Sequence, residues 1–214
     1  MIILKEQIDQ AFELFDRGCL VEAEELYNKC LSKIETPNSN EYTQVLHGLG
    51  YVKAGLKKFD EARSHYKELI TIALSKKDKV NHFIAVHQLG MVERMAENYD
   101  ESLNIFQLEA KLLKDYKIDS LISWSANYYE QGYVILKMGN IESAQQFMDQ
   151  SLQCARRSED AMSIGCAYRG FGEIYQAKGD SLSAKQSFHN AKEAFKRAND
   201  NIAIQEIDKL LSKK

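Results

Sequence analysis

The sequence predicts an all-α protein of stacked helix-turn-helix repeats, and three observations carry that prediction. Apolar residues recur at three- and four-residue intervals almost throughout, the period of an amphipathic helix rather than the alternation of a strand. Only one proline, Pro37, interrupts the chain. A glycine-centred pattern also returns: Leu49-Gly50-Tyr51-Val52, Leu89-Gly90-Met91-Val92, Gln131-Gly132-Tyr133-Val134 and Phe171-Gly172-Glu173-Ile174 place their glycines 40, 42 and 40 residues apart.

Two further markers keep the same phase. Twelve residues after each glycine stands a small side chain, Ala62, Ser102, Ala144 or Ala184, and four residues later a large one, Tyr66, Phe106, Met148 or Phe188. Counting back from Ala23 and Tyr27 puts Ala11 in the glycine place of a degenerate first copy. Where two antiparallel helices cross closely, a small residue lets the backbones approach and a large neighbour fills the adjoining space. The expected repeats are 4–38, 39–77, 78–118, 119–159 and 160–199, followed by a capping segment 200–214, all within one domain 1–214.

Within each repeat the turn falls at Arg17-Gly18, Lys57-Lys58, Glu97-Asn98, Gly139-Asn140 and Gly179-Asp180, where glycine or asparagine can take left-handed backbone angles. Polar breaks separate the repeats: Thr36-Pro37-Asn38-Ser39, Lys76-Lys77-Asp78, Lys117-Ile118-Asp119, Ser158-Glu159-Asp160 and Asn199-Asp200. Residues 201–212 carry Ile204, Ile207 and Leu211 on one stripe and read as a helix that covers the open end of the stack. Because each helix pair has an apolar face it cannot bury alone, the pairs are expected to stack into a right-handed superhelix.

Composition limits the function classes. A chain of 214 residues with 44% hydrophobic and 28% charged side chains can bury a core. A net charge of -3 offers no general attraction to phosphate backbones, and the pairs Lys57-Lys58, Lys76-Lys77 and Lys213-Lys214 are expected on solvated faces, so nucleic acid is not the expected partner. Met1 to Leu4 is too short an apolar run for a signal peptide, and no stretch approaches the roughly 20 apolar residues that span a bilayer. Cys19, Cys30, Cys154 and Cys166 form no C-x-x-C pair. A cytoplasmic protein with reduced thiols and no membrane partner is expected.

The quoted residues resemble the tetratricopeptide repeat family, with its Leu-Gly, its small residue after the turn and its aromatic one turn on. The resemblance covers nearly the whole chain. Its period near 40, longer than the family's usual repeat, is similar to that of kinesin light chains, LGN-type scaffolds and the bacterial Rap group of peptide-responsive regulators. The usual proline after the second helix survives only as Pro37, Gln131 replaces the apolar residue before Gly132, and Ser102 replaces alanine. Rap-type regulators carry an additional N-terminal helical bundle. Here the repeats start near residue 5, so for a complete chain the resemblance implies the ligand-binding half without the output half.

No catalytic signature stands in the sequence: there is no G-x-G-x-x-G, no G-x-x-x-x-G-K-S/T and no H-E-x-x-H, and Gly170-Phe171-Gly172 reads as small residues inside a helix. No enzyme activity, cofactor or metal is expected. His47 and His87 lack a carboxylate or thiolate at ligand spacing, and nothing near Cys166 marks a reactive thiol.

The resemblance implies instead a surface, since in this family the first helices line the inside of the curve. Fixed offsets from the glycines then give a candidate groove of Gln44, His47, Tyr51, His87, Met91, Arg94, Tyr129, Tyr133, Arg169, Glu173 and Gln176. Tyr, His, Met and Arg offer large contact area with a polar end. Tyr129 and Tyr133 are expected at its centre, with Arg94 and Arg169 fixing polar groups of a partner. Val52, Val92, Val134 and Ile174 fall on the opposite side and are expected in the core. The acidic second-helix starts, Glu22 to Glu25 and Asp60-Glu61, are expected on a solvated convex surface. The Lys and Asn clamp with which chaperone-cofactor repeats grip a C-terminal carboxylate is not reproduced, because its places hold Ile8, Phe12, His47, Tyr51 and His87.

The leading reading is a module that binds a protein or peptide along this groove. A peptide-responsive regulator of the Rap type and a self-associating subunit, dimerising through tyrosine-rich or cap-helix surfaces, are the alternatives.

Overall fold

The computed structural model describes residues 2–212; Met1 and the Lys213-Lys214 pair lie outside them, and with them the outermost residues of the expected domain. Among the described residues there are eleven helices: α1 Ile2–Asp16, α2 Leu20–Leu31, α3 Asn40–Gly55, α4 Phe59–Ser75, α5 Lys79–Met95, α6 Tyr99–Asp115, α7 Leu121–Lys137, α8 Ile141–Ser158, α9 Ala161–Ala177, α10 Ser181–Arg197 and α11 Asn201–Ser212. The fold is all-α and is made of helix-turn-helix repeats.

The polar breaks do the work of helix starts. Ser39, Asp78, Asp160 and Asp200 accept hydrogen bonds from the backbone N–H groups of Tyr42, Asn81, Ser163 and Ala203, satisfying donors that the first turn leaves unpaired. Ser120 caps α7 in the same way, one residue beyond the expected break at Lys117-Ile118-Asp119. The helix stops are less discriminating than the sequence implies. Left-handed angles occur at Gly18, Gly139 and Gly179, but also at Asn38, Lys57, Lys77, Glu97, Lys117, Glu159 and Asn199. At Glu97-Asn98 it is the glutamate, not the asparagine, that turns left-handed. The repeated 5→2-type and 6→1-type bonds, such as Lys57 N–H to Ala54 O and Lys58 N–H to Lys53 O, outweigh the modest strain of a Cβ at that position.

The chain divides into two compact units, Met1–Ile105 and Phe106–Lys214, with the division inside α6. In the first, α1 to α5 pack each on the next, and the first helices α1 and α3 also touch. In the second, α7 to α11 pack in the same order, and α7 touches α9.

The small-and-large markers explain that packing. A Cβ at Gly50 would stand 2.5 Å from the Tyr66 ring, and one at Gly132 would stand 3.1 Å from Met148. Gly172 faces Phe188 in the same sense. Glycines two residues earlier serve the neighbouring repeat: Gly48 lies on the Tyr27 ring and Gly170 on Met148. Gly170-Phe171-Gly172 is therefore more than a local run of small residues, since its two glycines receive large side chains from successive repeats. Val52, Val92, Val134 and Ile174 are buried, as are Ala62, Ser102, Ala144 and Ala184.

Two of the three departures from the pattern, Ser102 and Gln131, are satisfied by hydrogen bonds. The buried Ser102 hydroxyl donates to the Gly90 carbonyl at 2.9 Å. Gln131 donates to Asn127 at 2.7 Å, and Asn127 in turn donates to the Phe106 carbonyl and to Glu109, both at 2.8 Å.

The expectation of a solvated acidic surface fails at Glu24. It is buried and accepts from Lys53 at 2.6 Å and Lys58 at 2.7 Å, while Lys53 also pairs with Glu61. Glu22 and Glu25 remain exposed. A burial pattern set by Lys53 of the next helix and by Lys58 at the turn that follows it overrides what charge alone implies. Arg63 makes a second such link, forking onto Glu93 at 2.6 and 2.8 Å and reaching Asp60 at 2.7 Å.

Candidate functional site

On α3, Gln44, His47 and Tyr51 succeed one another at helical spacing, with Gln44 exposed and the two rings half-buried. Together with Ile8, Asp9, Phe12 and Glu13 of α1 and with Tyr27 and Gly48, they line an open pocket of ≈ 500 Å³. Ring contacts hold its wall: Phe15 lies 5.7 Å from Tyr51, and Tyr66 meets both Tyr51 at 6.2 Å and His47 at 6.0 Å, edge to face. Burial holds His47 below its ordinary value, favouring the neutral imidazole, and pushes the Tyr51 phenol up and Tyr27 up to about 12. On α5, His87, Met91 and Arg94 are half-buried.

In the second unit, Tyr129 and Tyr133 of α7 lie one turn apart, ring centroids 6.2 Å from each other, and pack against the cluster of Ala144, Met148, Phe171 and Ile174. Both stay half-buried. Burial drives the Tyr129 phenol well above its ordinary value, and likewise the Cys166 thiol, up to about 12, so this thiol stays protonated. Arg169 of α9 is engaged within the unit: its Nε donates to Glu173 at 3.3 Å and its Nη1 to Glu206 of α11 at 2.6 Å. Lys137 lies 4.9 Å over the Tyr133 ring and 4.0 Å from Glu173. Gln176, exposed, sits apart from this chain of contacts and lines a cavity with Phe188, Leu210 and Leu211.

Among the described residues no three His, Cys, Asp or Glu side chains gather to hold a metal, and no helix is long and apolar enough to cross a membrane.

The geometry brings in residues that the glycine offsets left out. Ile8 and Phe12 fall three before and one after Ala11, the same offsets that select His47 and Tyr51, so the degenerate first copy already marked them. Asp9, Glu13, Lys137 and Glu206 carry no such mark, because their importance depends on which helix lies beside them.

A family model, Tetratricopeptide repeat, matches residues 43–76 and 172–200, one stretch in each unit. The chain is built of tetratricopeptide-like repeats. Solved structures agree on the fold. The chain is similar to PlcR of Bacillus thuringiensis, solved in complex with the peptide PapR7 and DNA, at a TM-score of 0.79 and 15% identity over 99% of this chain and 74% of that one. A putative kinesin light chain of Podosopora anserina aligns at a TM-score of 0.66 and 14% identity, covering 92% of this chain and 96% of the other. Aspartyl phosphate phosphatase F of Bacillus subtilis aligns at 0.67 and 12%, covering 98% and 60%. No curated protein matches the sequence.

Proposed function

We propose that this repeat chain is a protein- or peptide-binding module that uses the first-helix faces of its two units, and that it performs no catalysis. The observation that carries the reading is the asymmetry of the first helices. On α3 and α7 the valines at one side are buried, while the aromatic and polar residues at the other, His47, Tyr51, Tyr129 and Tyr133, stay half-exposed. Folding alone calls for the first stripe; the second leaves large amphipathic side chains in contact with water, the composition of surfaces that bind. PlcR, whose fold this chain shares, was solved with a bound peptide, which is consistent with the reading. The shared fold supports only the architecture on which a binding face is built.

The test is selection of a displayed library of random short peptides on the immobilised chain, followed by titration of the enriched peptides. Tyr51→Ala or Tyr133→Ala is expected to weaken binding by about 2 kcal/mol, near thirtyfold, while Lys67→Ala on the exposed side of α4 leaves it unchanged. Failure to enrich any peptide, or sensitivity only to Lys67→Ala, refutes the reading.

A further inference from the structure

The pocket between α1 and α3 combines three features that the fold does not use. Phe12 is 56% exposed at its mouth, although a phenylalanine of the same unit that serves packing, Phe83, is 7% exposed. The remaining apolar wall, Ile8, Tyr27, Gly48 and Tyr51, is formed by the repeat packing itself and leaves ≈ 500 Å³ open, within the size range of sites that hold organic ligands and side chains. The rim carries two carboxylates, Asp9 and Glu13, one turn apart on α1, and no lysine or arginine lines it.

Those carboxylates, like the exposed Glu22 and Glu25, differ from the buried carboxylates of the unit. Glu24 is held by Lys53 and Lys58, Glu93 by Arg63, and Asp60 by Arg63. Among the described residues neither Asp9 nor Glu13 engages in an ion pair, and like charges four apart on a helix repel rather than stabilise. Burial holds His47, which lines the same pocket, below its ordinary value and so disfavours a counter-charge there. Lys5 and Arg17 stand four residues to either side on the chain but line no part of the pocket, and apolar depth with a negative rim selects for an apolar group that has a positive charge beside it.

We infer that the α1–α3 pocket is the anchor site for a basic peptide motif, one large apolar side chain next to a lysine or arginine, with the apolar group lying on Phe12 and Tyr51 and the cation between Asp9 and Glu13. The inference rests on the peptide-binding reading above and adds to it where the anchor lies and what chemistry it selects. The aromatic walls contribute most of the affinity through burial, and the carboxylates contribute selectivity and a salt-sensitive part.

Peptides enriched from the displayed library serve as the probe, each synthesised with its basic residue changed to glutamate and with its apolar residue changed to alanine. Enrichment of an apolar residue adjacent to Lys or Arg is expected. Phe12→Ala should weaken those peptides on the order of tenfold or more, with helicity and melting unchanged because Phe12 is exposed. The double variant Asp9→Asn, Glu13→Gln should weaken them about fivefold, flatten the dependence on sodium chloride and erase the preference for lysine over glutamate. Peptides that bind with sensitivity to Tyr133→Ala but indifference to Phe12→Ala and to the double variant would overturn the anchor assignment and leave the module reading standing. A change in the chain's own solution mass caused by Phe12→Ala would instead assign the pocket to a second copy, which also overturns it.

Discussion

The two units apply the same repeat rule and end with different faces. In the first, the offsets that lead from Ala11 and Gly50 to Phe12 and Tyr51 produce an open apolar pocket with unpaired carboxylates at its rim. In the second, the same offsets from Gly132 and Gly172 produce Tyr133 and Glu173, which have charged neighbours: Lys137 lies over one face of the half-buried tyrosine ring, and Arg169 links Glu173 to Glu206 on α11. The stripe on the first helices thus marks where side chains project, but their availability depends on what the neighbouring helix offers. An aromatic row beside a neutral row stays open, whereas a row of mixed charges is drawn into ion pairs, even though the buried Glu173 Oε2 still accepts no hydrogen bond.

The largest expected effect asks whether the units really share their packing beneath these faces. Gly50→Ala in the first unit and Gly172→Ala in the second each gain about 1 kcal/mol of helix propensity but push a methyl into a buried ring. Overpacking of this kind costs up to about 3 kcal/mol, so each variant should lose about 2 kcal/mol of unfolding free energy. Urea denaturation of both would show it. A stabilised Gly172→Ala beside a destabilised Gly50→Ala would mean that the close crossing is a property of one unit only.

A smaller effect separates the units by pH. The Lys53 ammonium holds Glu24, and the Arg63 guanidinium holds Glu93, below the ordinary value of 4.5. A depressed carboxyl stabilises the fold above its unfolded value and loses that contribution as pH falls through its folded value, so these pairs should weaken the first unit below about pH 4.5. Glu93→Gln should cost about 1.5 kcal/mol at neutral pH and progressively less in acid. Hydrogen exchange would assign the change to residues of α3 to α5; a loss independent of pH would show that the amide disturbs packing and that the charge contributes nothing.

The smallest effect tests the ion-paired face. Arg169→Ala should lower global stability by about 1 kcal/mol or less, because the Arg169–Glu206 pair is partly exposed. It should nevertheless reduce exchange protection across residues 201–212, where the α9–α11 link is lost. Unchanged protection there would mean that Ile207 and its apolar neighbours hold α11 without help from the ion pair.

Much of the fold was legible in the sequence because it depends on local spacing. The glycine, small and large markers determine where helices cross, and Ser39, Asp78, Asp160 and Asp200 announce helix starts that need only their own next turn. The candidate stripe containing His47, Tyr51, Tyr129 and Tyr133 came from offsets along the face that the family resemblance implies, and these four residues are half-buried. Left-handed stops at Lys57, Lys77 and Glu97 were less visible, since the hydrogen bonds that enforce them override side-chain preference.

By itself, then, the sequence determined the helices and their pairing within repeats, because these depend on spacings of three, four and about 40 residues along one chain. Only the tertiary structure decided that Glu24 is buried between two lysines, that Arg169 is engaged by α11 and that Phe12 stands at an open pocket. Each of those outcomes depends on a side chain supplied by another helix, and the strength of a charge or an apolar contact depends on the groups that exclude water from it.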